Sequence, residues 1–208
     1  MTKTAAEVEQ IKRAPDVPGV LYLFLHRWSP RSFDSNRDVS PEDLRALFEA
    51  ARWAASSNNE QPWCYLVGRR GTETHRKIFQ SLGEWNQAWA GSSSVLLLGT
   101  AKRTFAKNGA VNGYAMHDLG AADAAICYQA TALGLHSHQM AGFDHDVARQ
   151  LFNIPEDYHL GSVNAIGYLG DPADLKVEYQ RNLEEAPRTR KQLSEIAFSE
   201  WEQPLDLA

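Results

Sequence analysis

Cysteine is scarce: Cys64 and Cys127 are the two in 208 residues. They form no CxxC pair and no disulfide framework, so the sequence reads as a reduced, cytoplasmic protein. No apolar run approaches the roughly 18 residues that a membrane span needs, and mean hydropathy is −0.44. The opening MTKTAAEVEQIKRAPD lacks the apolar core of a secretory signal. No membrane partner is expected. Positive charge is also short: the formal net charge is −5, which argues against nucleic acid as a partner. Several chemistry-bearing motifs are missing as well. No GxGxxG follows a strand, which speaks against a dedicated dinucleotide-binding fold. There is no GxxxxGKS/T for nucleoside triphosphates, no GxSxG nucleophile elbow, and no HExxH or four-ligand Cys/His set.

What is present suits a globular chain with one substantial core. Six tryptophans stand out; large flat side chains suit a pocket for a flat ligand, a core or a dimer interface equally. Residues 1–13 are read as a short helix, and Val20 to Leu25 as a helix leading into His26-Arg27-Trp28-Ser29. Ser40-Pro41-Glu42-Asp43 is a helix start: a cap, a proline at the first helical position, and two acids at the positive end of the dipole. Leu44, Leu47, Phe48 and Ala51 follow at helical spacing. Ser56 to Pro62 is a loop. Trp63 to Gly68, Ser94 to Thr100 and Ser162 to Leu169 read as buried strands, with a shorter one at Ser137 to Ala141. Helices are predicted over Thr72 to Leu82, Glu84 to Ala90, Tyr114 to Leu133 (ended by Gly134) and Asp144 to Phe152. Helices do not alternate one-for-one with strands, so the class is α+β rather than a doubly wound sheet. After Pro172 the chain turns polar. The tail has too few apolar residues to pack by itself.

Three features carry candidate chemistry. Arg27-Trp28-Ser29-Pro30-Arg31 offers guanidinium forks and a hydroxyl, suitable partners for a phosphate. Arg188-Thr189-Arg190-Lys191 is a second basic cluster near the other end of the chain. Either alone is more often a solvated face than a binding site; together they would make a phosphate clamp built from both ends. The third is the loop Ser56 to Gln61, rich in groups that can hydrogen-bond a heterocycle edge, though it reads equally as a plain connection. His136 and His138 share one face of a strand, with His145 following. Without a nearby third ligand they do not make a metal site, and none is expected.

These features, in this order, resemble the nitroreductase family of FMN-dependent oxidoreductases. Arg27-Trp28-Ser29-Pro30-Arg31-Ser32-Phe33 is similar to the family's R-x-S-x-R/K-x-F. Ala54-Ala55-Ser56-Ser57-Asn58-Asn59-Glu60-Gln61-Pro62-Trp63 resembles A-P-S-x-x-N-x-Q-P-W. Ala132-Leu133-Gly134-Leu135 through Gly142-Phe143 resembles A-L-G-L…G-F. Arg188-Thr189-Arg190 is similar to a C-terminal basic pair. The likeness runs from about Arg27 to Lys191. Ala55 stands where the family usually has proline, and Ala141 where well-known bacterial members have glutamate.

The resemblance implies one domain over residues 1–208: an α+β sandwich with a mostly antiparallel sheet between helices, forming an intertwined homodimer. Residues 1–13 would be peripheral, and about 172–208 would wrap the partner. FMN would sit at the subunit interface. Arg27, Trp28, Ser29 and Arg31 would hold its phosphate and ribityl region, and Arg188 and Arg190 would complete the phosphate site. Ser56, Ser57 and Asn59 would approach from the other subunit. Asn86 would face the pyrimidine edge, and Met140, Ala141 and Gly142 would bring backbone N–H groups near flavin N5. No residue is singled out as catalytic, because the flavin carries the chemistry. His138, Trp85, Trp89 and Tyr114 are candidates for lining the acceptor pocket, with core packing or dimer contact as the alternative for each. NAD(P)H would be a transient co-substrate, alternating by a ping-pong mechanism with a small-molecule acceptor such as a nitroaromatic or quinone. The alternatives are a different reaction on the same flavin (dehydrogenation, reductive dehalogenation or flavin destruction) or a flavin-binding carrier or sensor without turnover.

Overall fold

Short polar caps set the helices, and a continuous apolar strand sets the middle of the molecule. The computed structural model describes residues 2–207. Its helices are α1 (Ala5–Lys12), α2 (Tyr22–His26), α3 (Pro41–Arg52), α4 (Glu73–Ser81), α5 (Glu84–Ala90), α6 (Ala115–Ala132), α7 (His145–Phe152) and α8 (Glu178–Glu185). The strands are β1 (Trp63–Arg69), β2 (Val95–Lys102), β3 (His136–Met140) and β4 (Tyr158–Gly167), with a small hairpin of β5 (Phe198–Glu200) and β6 (Gln203–Pro204). Ser40 Oγ accepts from Asp43 N at 2.9 Å with Pro41 just inside the helix. Asp144 Oδ1 accepts from the amides of Asp146 and Val147. Gly134, at φ +70°, ends α6 in the left-handed conformation that glycine adopts without a Cβ penalty.

The main sheet has the order β1-β2-β4-β3 and is antiparallel throughout. β2 lies near its middle and is apolar on both faces. Val95 and Leu97 meet α3 and α6 through Leu47, Ala51, Ala122 and Ile126. Leu96 and Leu98 meet α4, α5 and α7 through Ile78, Trp89 and Ala148. Each such aliphatic side chain, fully buried, contributes about 1.5–3 kcal/mol. Gly99 and Gly161 let Leu119 of α6 settle on the sheet: a Cβ on Gly161 would lie 2.5 Å from a Leu119 methyl. Among the described residues, no helix is long and apolar enough to cross a membrane.

Several expectations change in detail. β1 was expected to be buried, but it is a half-buried edge strand with Cys64 exposed. β4 begins at Tyr158, ahead of the expected Ser162, and bulges against β2 between Leu98 and Thr100. Helix α8 has no counterpart in the sequence reading. Its residues, EYQRNLEE, carry no apolar stripe, because the side chains it buries are Gln180 and Glu184. The N-terminal helix is less peripheral than expected: Val8 is 0% exposed and Lys12 Nζ donates to Leu183 O at 2.8 Å. The stretch of exposed apolar side chains starts later than residue 172. Residues through Arg188 pack on their own chain, whereas Leu193, Ile196, Trp201 and Leu207 are exposed.

Candidate functional site

After α2 the chain runs extended from Arg27 to Phe33, which bridges to Leu169. Side chains along an extended segment alternate between faces. Trp28, Pro30 and Ser32 are therefore buried, while Arg27, Ser29 and Arg31 are half-buried on the other face. The R-x-S-x-R spacing is thus the signature of one polar face. Trp28, expected among the contact residues, is turned inward by the same alternation. Its ring meets His136 edge-on at 5.8 Å, and Lys12 Nζ lies 5.2 Å from it. Arg27 and Ser29 line a cleft of about 190 Å³ together with Cys127, Tyr128, Ser137 and Gln139. The Arg27 guanidinium also donates to Ser29 Oγ at 3.3 Å.

The two basic clusters meet. The Arg188 guanidinium donates to Arg27 O at 2.6 Å and to Leu25 O. Arg188 is thereby a strut holding the first cluster, whereas Arg190 is exposed and bonds only locally, to Thr189 O. Beneath them lies Glu184, 0% exposed. Its carboxylate accepts from Arg31 N at 2.9 and 3.0 Å and from Ser32 N at 3.1 Å. Burial raises the Glu184 pKa against the opposing pull of those N–H groups, Arg31 and Lys12. Burial likewise lowers the pKa of Lys12, Arg31 and Arg188. Lys12, Arg27, Arg31 and Arg188 are electrostatically linked here, and the carboxylate shared by Lys12 and Arg31 is Glu184. Half-buried positive charge is in surplus, and buried charges are costly unless paired. An anion in the adjoining cleft would balance it.

His138 supports the same loop from β3. Its Nδ1–H donates to Pro30 O at 2.8 Å, and its ring lies 4.6 Å from that of Trp89. Burial drives its pKa down to about 4, with Arg31 and Arg27 adding repulsion, so the ring is neutral near pH 7. Trp89, expected to line a pocket, is mainly a core residue, 4% exposed and stacked at 6.1 Å on Phe33. His136 faces Glu9 at 3.6 Å, and His145 stacks on Phe143. Among the described residues, no three His, Cys, Asp or Glu side chains cluster as metal ligands.

A second group forms where β3 leaves the sheet. Asn86 Nδ2 donates to Gly142 O at 2.9 Å, and Gly83 N donates to the same oxygen at 3.1 Å. Leu82 and Phe143 pair in a bridge that holds the two loops together. A Cβ at Gly142 would fall 2.9 Å from Asn86 Nδ2, so a side chain there would displace the Asn86 amide from Gly142 O. Ala141 and Gly142 are exposed, whereas the Met140 side chain is 3% exposed in the core; it offers the site only its backbone. Trp85, 45% exposed, lies 5.8 Å from Tyr179.

The Ser56–Gln61 loop lies elsewhere. It holds a single 3-10 turn over Ser57–Asn59, and Asn58, Asn59 and Gln61 have positive φ. Asp118, 2% exposed in the first turn of α6, accepts from Ser57 N at 3.0 Å. Tyr114 and His117 line a cleft with Ser56 and Ser57. This loop leads into β1, at the opposite edge of the sheet from β3. Three strand spacings separate those edges, about 14 Å. Tyr114 therefore does not join His138 and Trp89 within one chain. Asp118 and Glu184 escaped the sequence reading because each acts on a backbone amide, and nothing in a sequence marks that. The one available signal was the four-residue spacing of Gln180, Glu184 and Arg188.

A model described as the nitroreductase family matches residues 25–112. A solved oxidoreductase containing FMN is 33% identical; the match covers 90% of this chain and 94% of that one, with a TM-score of 0.83. An uncharacterized 15.4 kDa protein of Mycolicibacterium smegmatis is 33% identical over 150 residues, covering 68% of this chain and 99% of its own length. The major NAD(P)H-flavin oxidoreductase of Aliivibrio fischeri is 31% identical over 91 residues, which span 43% of this chain and 42% of that protein.

Proposed function

The chain belongs to the nitroreductase family, and from that premise we propose that it is a homodimeric FMN-dependent oxidoreductase that passes reducing equivalents from NAD(P)H to an electron-poor acceptor such as a nitroaromatic or a quinone. The observation that carries the reading is the surplus of positive charge where the two ends of the chain meet, beside a cleft lined by Arg27 and Ser29. A flavin phosphate dianion supplies the missing counter-charge. Arg27, Arg31 and Arg190 offer it charge-assisted donors, and Ser29 a hydroxyl. Arg188 acts mainly by fixing Arg27.

The edge-to-edge separation within one chain supports a site shared between subunits. The Arg27 to Arg31 segment and the Asn86–Gly142 pair would come from one protomer, and Ser56, Ser57 and Asn59 from its partner. The apolar side chains of the exposed tail suit an embrace of that partner.

Bound there, FMN would supply the redox chemistry that links NAD(P)H oxidation to reduction of the acceptor, the two sharing one site in turn. The protein's part is to bind, orient and bias. Asn86 would fix the exposed Gly142 loop through its carbonyl, beside the flavin edge. Backbone N–H groups of residues 140–142 would favour negative charge at that edge. Neutral His138 buttresses the phosphate loop and provides no proton near pH 7. Trp85 and, from the partner, the Tyr114 region would border the acceptor.

The test is anaerobic. The purified protein should carry FMN, bleach on addition of NADH or NADPH, and recover its colour with a nitroaromatic or quinone. Bound flavin that neither nicotinamide reduces would overturn the reductase reading in favour of a carrier or sensor. Rapid bleaching without reoxidation by either acceptor class would favour another reaction on the same flavin.

A further inference from the structure

Helix α8 buries the wrong kind of residue. Gln180 and Glu184, one turn apart, are both 0% exposed. Buried polar side chains are costly unless their hydrogen bonds are met. A helix whose inward stripe is Gln and Glu gains little from apolar burial, so its docking depends on what those groups hold.

Each holds a different part of the site. Gln180 Nε2 donates to Trp85 O at 2.8 Å, next to Asn86. Glu184 takes the amides of Arg31 and Ser32. Four residues on, past the helix end, Arg188 donates to the carbonyls of Leu25 and Arg27. Lys12 Nζ donates to Leu183 O at 2.8 Å, drawing α1 onto the same helix. Two segments far apart in sequence, residues 25–32 and the Trp85 turn, are therefore gathered by positions 180, 184 and 188, and α1 joins them through Leu183.

We propose that Glu184 is a positioning residue for flavin-phosphate recognition: its buried carboxylate fixes the Arg31–Ser32 backbone beneath the cleft, so that the forks of Arg27 and Arg31 converge on one dianion. The inference rests on the FMN reading above. It assigns the carboxylate a role at the phosphate and none at the isoalloxazine ring. Without its charge, Arg31 loses a counter-ion and an amide nitrogen faces an amide N–H. The repulsion of Lys12 with Arg31 and Arg188, and of Arg188 with Arg27, then spreads the clamp. The added positive potential would attract a phosphate at long range, but salt screens that pull and leaves the geometric loss intact.

The experiment compares two ligands that differ by the phosphate. Apo-protein is titrated with FMN and with riboflavin at high salt, followed by flavin fluorescence, for the wild type and Glu184→Gln. The wild type should prefer FMN. The variant should bind FMN at least tenfold more weakly while its riboflavin affinity stays within twofold. A Gln180→Met variant, altered on the same helix but away from the phosphate end, should keep the wild-type FMN-to-riboflavin ratio. If Glu184→Gln does not fold, Glu184→Asp keeps the charge but withdraws it by one methylene, and a smaller loss in the same ratio is expected. An unchanged ratio in the Glu184 variants, or an equal change in Gln180→Met, refutes the positioning role. A wild type that binds riboflavin as tightly as FMN refutes instead the phosphate reading on which it rests.

Discussion

At the scale of single residues, His138 shows how a group can sit in a functional loop without doing proton chemistry. It is packed on Trp89, bonded to Pro30 O and flanked by Arg27 and Arg31. Burial holds its folded-state pKa at about 4, against 6.5 for an exposed imidazole. The unfolded chain therefore takes up a proton as pH falls through 6.5, while the folded chain does not until about pH 4. The stability that His138 supports is present above pH 6.5, is lost between those two values, and totals about 3 kcal/mol. Denaturant melts of the wild type and His138→Asn across this window check it. The gap between the two proteins should be widest at pH 7 and narrow toward pH 4. A gap that stays constant over the window would show that the ring does not resist protonation. Residue-scale legibility followed the same lines. The polar alternation of Arg27, Ser29 and Arg31 could be read from spacing. The inward turn of Trp28 followed from that spacing but was missed when the motif was taken as a block.

Among the elements, those with an apolar period or a cap were legible. The Ser40-Pro41 start, the Asp144 cap and the Gly134 stop all lie where the sequence puts them. Helix α8 was invisible because its inward face is polar, and the edge position of β1 was invisible because pairing order is a tertiary property. The C-terminal hairpin is the element with the least support of its own. β5 and β6 have three and two residues, too short to be stable alone. Leu193, Ile196, Phe198 and Trp201 are exposed around it, Trp201 at 87%. Under the proposed shared site, its partner would be a second copy of the chain. Truncation after Lys191 should therefore leave a folded monomer that binds FMN at least tenfold more weakly, by light scattering and flavin titration. A truncated protein that stays dimeric with full flavin would contradict that role for the tail.

For the whole molecule, the α+β class was readable from the order of helices and strands, whereas the antiparallel sheet was implied by the family resemblance and is found in the structure. Two facts about the site needed three dimensions. The basic clusters at residues 27–31 and 188–190 meet across 161 positions of sequence through Arg188 and Arg27 O. The Ser56 loop lies at the opposite sheet edge from β3, so within one chain the candidate residues fall into two separate groups. The central claim is that the meeting point of the chain ends recognises a phosphate. Its most direct test is equilibrium binding of FMN to apo-protein, wild type against Arg27→Ala/Arg190→Ala. Each charge-assisted bond is worth roughly 1.5–3 kcal/mol, so the double variant should bind FMN about a hundredfold to ten-thousandfold more weakly, with riboflavin binding little changed. FMN affinity equal to that of the wild type in the double variant would contradict the account.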